Sequence, residues 1–210
     1  MADSTKTLVR FNIKNAAYAL KTSDGYDTPV PFGYSDSIAL EADYAEKVIY
    51  GDGRKIVTIP NDKGKTGALG LLTIDEAYEI AMSRRMKTAN GIAEIKQTKS
   101  VEHAIYFEFD YMDDVGNQKT GKTIVYGVTS GRPSETLNQT TDDINNNTIS
   151  YPLTIRGVPL LAATGSNPYQ DSNGNTVYAW QETAIPGDTG YDTFGKTITS
   201  PKAPTSPVSI

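Results

Sequence analysis

Apolar residues recur at every second position through several segments of this chain, a pattern typical of β-strands that bury one face. The segments are 37–44, 101–112 and 147–156, with apolar positions Ile38, Leu40, Ala42, Tyr44, Val101, Ile105, Phe107, Phe109, Tyr111, Ile149, Tyr151, Leu153 and Ile155. Because proline has no N–H to donate, Pro152 predicts that the third strand lies at an edge or contains a break. Shorter strands are predicted at 16–21, 55–59, 67–72, 91–96 and 123–128. The chain is therefore expected to be mainly β.

One segment has the period of a helix instead. Thr73 and Glu76 have the spacing of a capping box, in which the two side chains bond free backbone N–H groups at the helix start. Arg84 and Arg85 would complement the negative end of the helix dipole. The sequence predicts one helix over residues 74–86, flanking a β-sandwich or flattened barrel.

Two segments differ in composition from core strands. Residues 44–66 are mostly polar and interrupted by glycines, which predicts a long extended loop or hairpin arm. From residue 162 onward Gly, Ser, Thr, Asn and Pro dominate, so we expect a domain over 1–161 and an irregular C-terminal extension over 162–210. Its last dozen residues are expected to form a disordered or docking tail, and the aromatic segment 176–180 to pack on the domain or on a neighbour.

The composition argues against several classes of function. The 210 residues include no cysteine, which excludes disulfides and thiolate chemistry. Acidic side chains outnumber basic ones by 25 to 20, for a formal net charge of −5, so no surface that grips nucleic-acid phosphates is indicated. No segment approaches the ~18 apolar residues of a membrane-spanning helix, and the N-terminal residues lack the apolar region of a signal peptide. We expect a protein made in a cytoplasm with no membrane partner.

Residues 116–123, GNQKTGKT, match the phosphate-binding-loop pattern at Gly116, Gly121, Lys122 and Thr123. A phosphate-binding loop must lead into a helix, whose N-terminus favours the phosphates. Here β-branched and aromatic residues follow, and then glycine and proline, which predicts a strand that ends in a turn. The pattern is therefore interpreted as part of a β-hairpin that binds no nucleotide.

The other candidate sites are weaker. His103, the one histidine, has no nucleophile or orienting acid marked nearby, so we expect a core or half-buried side chain. The segment from Asp171 has calcium-loop spacing but Thr176 where glycine is required, which favours an Asx turn. Asp110, Asp113 and Asp114 form a weak candidate cation site. The sequence predicts no enzyme, no cofactor and no metal site.

The order of these features resembles that of a known family. FNIKNAAYAL (11–20) leads to YDTPVPFGYSDSIALEADYAEKVIYGDG (26–53), and TGALGLLTIDEAYEIA (66–81) joins a strand to the helix. HAIYFEFDY (103–111), YGVTSGRPSET (126–136) and NTISYPLTIRG (147–157) follow. Over residues 8–160 this order is similar to the major tail tube proteins of long-tailed bacteriophages, especially those of Gram-positive hosts.

The resemblance implies a structural virion protein. Such proteins form hexameric rings that stack into a hollow tail tube, assembled in the host cytoplasm, and a long arm reaches the neighbouring ring. By that analogy Tyr50, Gly51, Gly53, Arg54 and Lys55 would form an inter-ring assembly arm. The implied partners are copies of the chain itself, a tape-measure protein and tail terminator or baseplate proteins. DNA would pass through the lumen without specific binding.

Two alternatives stay open. A carbohydrate- or cell-surface-binding β-sandwich could use Tyr178 and Trp180 as a stacking platform. An enzyme using the GNQKTGKT loop is the more remote alternative.

Overall fold

The computed structural model describes residues 9–23, 25–112, 116–135 and 149–205, which form a mainly β protein with one short helix. The elements in chain order are β1 Val9–Leu20, β2 Val30–Pro31, β3 Ser35–Gly51, β4 Arg54–Leu71, α1 Glu76–Ala81, β5 Arg85–Thr88, β6 Gly91–Glu94, β7 His103–Met112, β8 Gln118–Ser130, β9 Ile149–Ile155, β10 Val158–Pro159, β11 Tyr178–Ala179 and β12 Gln181–Ala184. The mainly β fold class predicted from the alternation is confirmed.

One antiparallel sheet of eight strands organises the molecule. Its order is β2-β1-β7-β8-β9-β4-β3, and β12 pairs with β8 beside this path. Along one edge of β8, residues 128–130 pair with β9 and residues 122–125 pair with β12. The sheet therefore forks at Gly127, which has a φ of 62°. An added Cβ there would lie 2.9 Å from the backbone nitrogen of Gly157, so only glycine fits the fork without displacing it.

Pro152 marks the end of one ladder. Strand β8 pairs with β9 only from Val128↔Ile155 to Ser130↔Leu153, whereas β4 pairs with β9 along its whole length. Immediately beyond, Gly131 donates its N–H to the carbonyl of Pro152. The break therefore affects only the ladder with β8: strand β9 itself is continuous through Pro152 and lies inside the sheet, not at an edge.

The two faces of the sheet bury two apolar clusters. Alternate side chains of β1, β7, β8, β9 and β4 enclose the main core together with α1, as a flattened barrel requires. The opposite face carries a second cluster, where Ala17, Ala104 and Tyr126 are covered by Val158 and Ile198. In β9 the buried positions are the four that the alternation predicted.

The alternating side chains of β3 contact the core only as far as a bulge in its partner β4, where Lys63 and Gly64 lie opposite Asp43. Ile38 and Leu40 pack against the main core, as predicted. The register with β4 shifts between Ala42 and Tyr44, and Tyr44 is 52% exposed. Tyr44 is therefore not part of the core, because it lies on the arm beyond Lys65, the last residue of β4 that pairs with β9.

The helix is shorter than residues 74–86 at both ends. Asp75, not Thr73, is the N-cap, and its Oδ1 accepts from the N–H of Tyr78 at 3.0 Å. The helix ends at Ala81 because Ser83 adopts a left-handed conformation, with a φ of 58°. Arg85 begins β5, so the predicted role of Arg84 and Arg85 at the helix dipole is wrong.

Arg84 lies in the core instead. Its side chain is fully buried, and Nη1 donates to the carbonyl of Ser130 at 3.1 Å and to the carbonyl of Gly131. Its Nη2 lies 2.7 Å from Oε1 of Glu79, which is also buried. The pair joins α1 to the end of β8.

Residues 162–205 pack back on the sheet. Leu161 and Lys202 form a parallel bridge: the N–H of Leu161 donates to the carbonyl of Pro201 at 2.8 Å, and the N–H of Ala203 donates to the carbonyl of Leu161 at 2.7 Å. Ile198 is buried in the second cluster. The predicted tail docks at least to Ala203, while residues 206–210 lie outside the described part of the chain.

Candidate assembly surface

A two-stranded arm projects from the sheet. Strands β3 and β4 pair from Ser35↔Leu71 to Gly51↔Arg54, but β9 accompanies β4 only as far as Lys65. Beyond that level, residues 44–62 of the described chain pair only with one another. The part of β3 in the arm, residues 44–51, gives a length of about 26 Å. The hairpin predicted over 44–66 is confirmed.

The tip of the arm is a tight turn. Asp52 and Gly53 have φ values of 49° and 74°, as the central residues of a two-residue hairpin turn require. The pairs Tyr50↔Lys55 and Gly51↔Arg54 close it. The structure therefore brings together the five residues predicted for an assembly arm, and their role in assembly stays a prediction.

Large apolar side chains are exposed along the arm on both of its faces. Ile49 pairs with Val57 and Lys47 with Ile59, so Ile49, Val57 and Ile59 share one face. Tyr44 lies on the other face. The exposed fractions along the arm are Tyr44 52%, Ile49 38%, Tyr50 68%, Ile56 67%, Val57 44% and Ile59 47%. Such a run of exposed apolar side chains is typical of a surface that a partner covers.

An open groove separates β1 from β3, the two strands that would have to pair to close the barrel. It measures about 700 Å³ and is lined by Phe11, Ile13, Leu40 and Phe109 among others. Val9 and Phe11, at its end, are 64% and 40% exposed. The outer edges of β3 and of the first half of β1 have no strand partner among the described residues.

A polar cluster stabilises β1 beside this groove. Lys14 Nζ lies 2.6 Å from Oδ1 of Asp110, and Asn12 Nδ2 donates to Oδ2 at 2.9 Å. The hydrogen bond from Lys14, followed by those from Asn12 and Thr120, lowers the pKa of Asp110 to about 2. Asp110 is thus an ion-pair partner in the sheet, and Asp113 and Asp114 lie outside the described residues.

The GNQKTGKT segment belongs to the β7–β8 hairpin, so the predicted hairpin is confirmed. Gly121 pairs with Phe109 and lies under its ring. Lys122 Nζ donates to the carbonyl of Tyr191 at 2.9 Å, and the hydroxyl of Thr123 bonds that of Thr183. The side chains that would hold phosphate and magnesium are engaged by the C-terminal extension.

The structure also places the other candidate positions. His103 is fully buried, as expected, and Asp171 accepts from the N–H groups of Asn173 and Asn175 in an Asx turn. Tyr178 is 53% exposed, whereas Trp180 is half-buried. An added Cβ at Gly64 would lie 2.9 Å from Cζ3 of Trp180, so this ring lies against the backbone at the base of the arm. The sequence did not mark Gly64, since one glycine among several in a polar segment carries no distinctive signal.

Comparisons with known proteins add no relative: the sequence matches no known protein-family profile and no curated protein. The part of the chain that the structure describes contains no helix with the length and apolar character needed to cross a bilayer.

Proposed function

We propose that this protein is a structural subunit that assembles with copies of itself into stacked rings, forming the tail tube of a bacteriophage. The β3–β4 arm is the observation that carries the proposal. It stands clear of its own sheet, and its tip and both faces expose apolar side chains.

A second copy of the chain is the occupant that fits the arm. An isolated two-stranded hairpin is only marginally stable in water, so an arm of this length gains stability when its faces are covered. Stacked copies would cover every arm in the same way, which a single small ligand could not do. A head-to-tail contact of this kind generates rings or filaments.

The sheet edges support lateral association of the same copies. The outer edges of β1 and β3 present unpaired backbone groups among the described residues, and closure into a ring removes such edges. Six copies per ring is the number that the resemblance implies.

The charge balance suits a conduit for DNA. A net charge of −5 gives little attraction for phosphates, so DNA would pass through the lumen without specific binding. Tape-measure and tail terminator or baseplate proteins would be the further partners in the virion.

Negative-stain electron microscopy of the purified, concentrated protein tests the proposal. We expect rings or hollow tubes of uniform diameter. Ile56→Asp places a charge on the arm, and it should leave only dispersed particles because burying an unpaired carboxylate is unfavourable. Ser172→Asp adds the same charge to an exposed loop distant in sequence from the arm and should assemble normally.

Two results would contradict the proposal. Assembly of Ile56→Asp at the wild-type concentration would exclude the arm as the assembly surface. A chain that sediments as a monomer at every accessible concentration and is retained on immobilised glycans would favour the carbohydrate-binding alternative instead.

A further inference from the structure

The arm joins the sheet at an irregular level of the β3–β4 ladder. Regular pairing stops at Ala42↔Lys65 and resumes at Tyr44↔Asp62, so one residue of β3 and two of β4 are unpaired there. One of these is Gly64, which has a φ of 106° and is buried. Because β9 also ends at this level, the two arm strands continue without sheet support beyond it. This arrangement is a joint about which an arm can change direction.

Trp180 occupies this joint. An added Cβ at Gly64 would lie 2.9 Å from its Cζ3, and an added Cβ at Gly157 would lie 2.7 Å from its Cε3. Both glycines have positive φ. The indole therefore packs against two backbone segments that have no side chains, one in β4 and one just after β9.

The backbone around Trp180 is held on both sides. Ala179 pairs with Val158 in the β10–β11 ladder, and Gln181 pairs with Val125 in the β12–β8 ladder. The carbonyl of Trp180 itself accepts from the N–H of Tyr126 at 3.0 Å. The neighbouring Gln181 accepts from Nζ of Lys65, the last arm-side residue paired with β9, at 3.1 Å. A ring fixed in this way can hold the joint in one position.

We infer that Trp180 is a positioning residue that sets the direction of the arm, so that the C-terminal extension prepares the arm for contact with the next copy. The step from arm direction to contact with another copy rests on the proposed function; the fixing of the arm within one chain does not. Removing the ring would let the arm move about Gly64 while the sheet stays folded.

Distances between two spin labels in the dilute monomer test this inference. The chain has no cysteine, so Lys55→Cys near the arm tip and Thr154→Cys on β9 are the only labelled sites. With Trp180 present we expect one narrow distance distribution. Trp180→Ala should broaden it by at least about twofold, since the hinge then has no side chain to oppose its motion. Tyr178→Ala is the matched control, because it removes an exposed aromatic ring two residues away and should leave the width unchanged.

Circular dichroism and thermal unfolding establish that each variant is folded. If Trp180→Ala does not fold, Trp180→Leu replaces it, since leucine keeps an apolar side chain without the ring. Its distance distribution should likewise be broader than that of wild type. A wild-type width in the folded variant would overturn the inference, whatever the assembly result.

Electron microscopy of the unlabelled variants then separates the two proposals. A broadened distribution together with fewer tubes than Tyr178→Ala forms supports both. A broadened distribution in a protein whose wild type never assembles supports the positioning role of Trp180 and overturns the tube. A broadened distribution with undiminished assembly would show that the direction of the arm does not control assembly, which overturns that step of the inference.

Discussion

The hydroxyl oxygen of Tyr78 lies 2.9 Å from Nε2 of His103 in the interior of the sheet. Nδ1 of the same ring lies 3.2 Å from the carbonyl of Val101, and the Tyr78 hydroxyl also bonds Oγ of Ser130. The Tyr78 hydroxyl donates to Oγ of Ser130, and the two ring contacts hold His103 between Val101 and Tyr78. His103 thus connects β7 to α1.

Acid should destabilise the protein through His103. Burial is the main cause that lowers the pKa of His103 from 6.5 to about 4. Between those values the unfolded chain binds a proton that the folded chain does not, so stability is full above pH 6.5 and falls as the pH drops towards 4. A difference of this size corresponds to about 2–3 kcal/mol lost between pH 7 and pH 4.5. Urea unfolding at a series of pH values measures it.

His103→Gln isolates this effect from other groups. Burial raises the pKa of Glu79, whose contribution has the opposite sign because the folded chain takes up that proton first. Both proteins contain Glu79, so the difference between their pH profiles reports His103. Parallel profiles over pH 4–7 would show that His103 is not the titrating group.

Removing one partner of the buried Arg84–Glu79 ion pair should strongly destabilise the folded protein. Arg84→Met leaves the Glu79 carboxylate buried without its cation, at a cost of about 3–5 kcal/mol. Adding Glu79→Leu removes the stranded charge and should restore part of the loss. Denaturant unfolding of the two single variants and the double variant gives the coupling. Equal stabilities of Arg84→Met and the double variant would contradict the pairing.

In the β7–β8 hairpin, replacing Gly121 by alanine should destabilise the protein at least as much as replacing Gly116. An added Cβ at Gly121 would lie 2.8 Å from Cε1 of Phe109, whereas Gly116 has open space around it and only a φ of 86°. Overpacking predicts a loss of about 1–3 kcal/mol for Gly121→Ala. Gly116→Ala should lose about 1 kcal/mol through backbone strain. Thermal unfolding compares the stabilities of the two variants.

Titration of wild type and Lys122→Ala with magnesium–ATP tests the hairpin interpretation directly. Nucleotide binding by wild type that Lys122→Ala abolishes would restore the phosphate-loop interpretation.

The turn at the arm tip should respond locally to substitution. Gly53 has a φ of 74° and no atom near its missing side chain, so Gly53→Ala introduces strain of roughly 1–2 kcal/mol without a clash. Because the arm pairs only with itself among the described residues, we expect amide hydrogen exchange over residues 44–62 to be faster than in wild type. The midpoint of global thermal unfolding should be unchanged. Asp52→Asn, which keeps a residue that tolerates this conformation, is the control. A lowered global midpoint would show that the arm and sheet unfold together.

Period-two alternation was sufficient to predict the sheet, because side chains of a half-buried strand must alternate. It could not predict the bulge at Lys63 and Gly64 of β4, which lie opposite the single residue Asp43, since pairing with the neighbouring strand determines where a bulge forms. Alternation also does not show where the supporting strand β9 ends, so it could not indicate that Tyr44 lies on the exposed arm.

The helix shows a second limit. Thr73, Asp75 and Glu76 all suit a helix start, and the choice of Asp75 depends on its second oxygen, which accepts from the N–H of Gly33, a residue distant in sequence. Arg84 resembles a solvent-exposed arginine until the fold places Glu79 and Ser130 around it. The arm could be predicted as a hairpin from its polar residues and glycines. The contact of Trp180 with Gly64 could not be predicted, because it depends on the fork in the sheet.

Assembly, if it proceeds through the arm, should weaken in proportion to the apolar surface removed. Ile59 is 47% exposed on the face that also carries Ile49 and Val57. Truncation by Ile59→Ala would remove about 1–2 kcal/mol of burial per contact, which raises the critical concentration for assembly roughly tenfold. Glu46→Ala truncates an arm side chain on the opposite face, the one that carries Tyr44, and should change the critical concentration less. Light scattering across a dilution series measures both, and an unchanged value for Ile59→Ala would mean that this face of the arm stays in solvent after assembly.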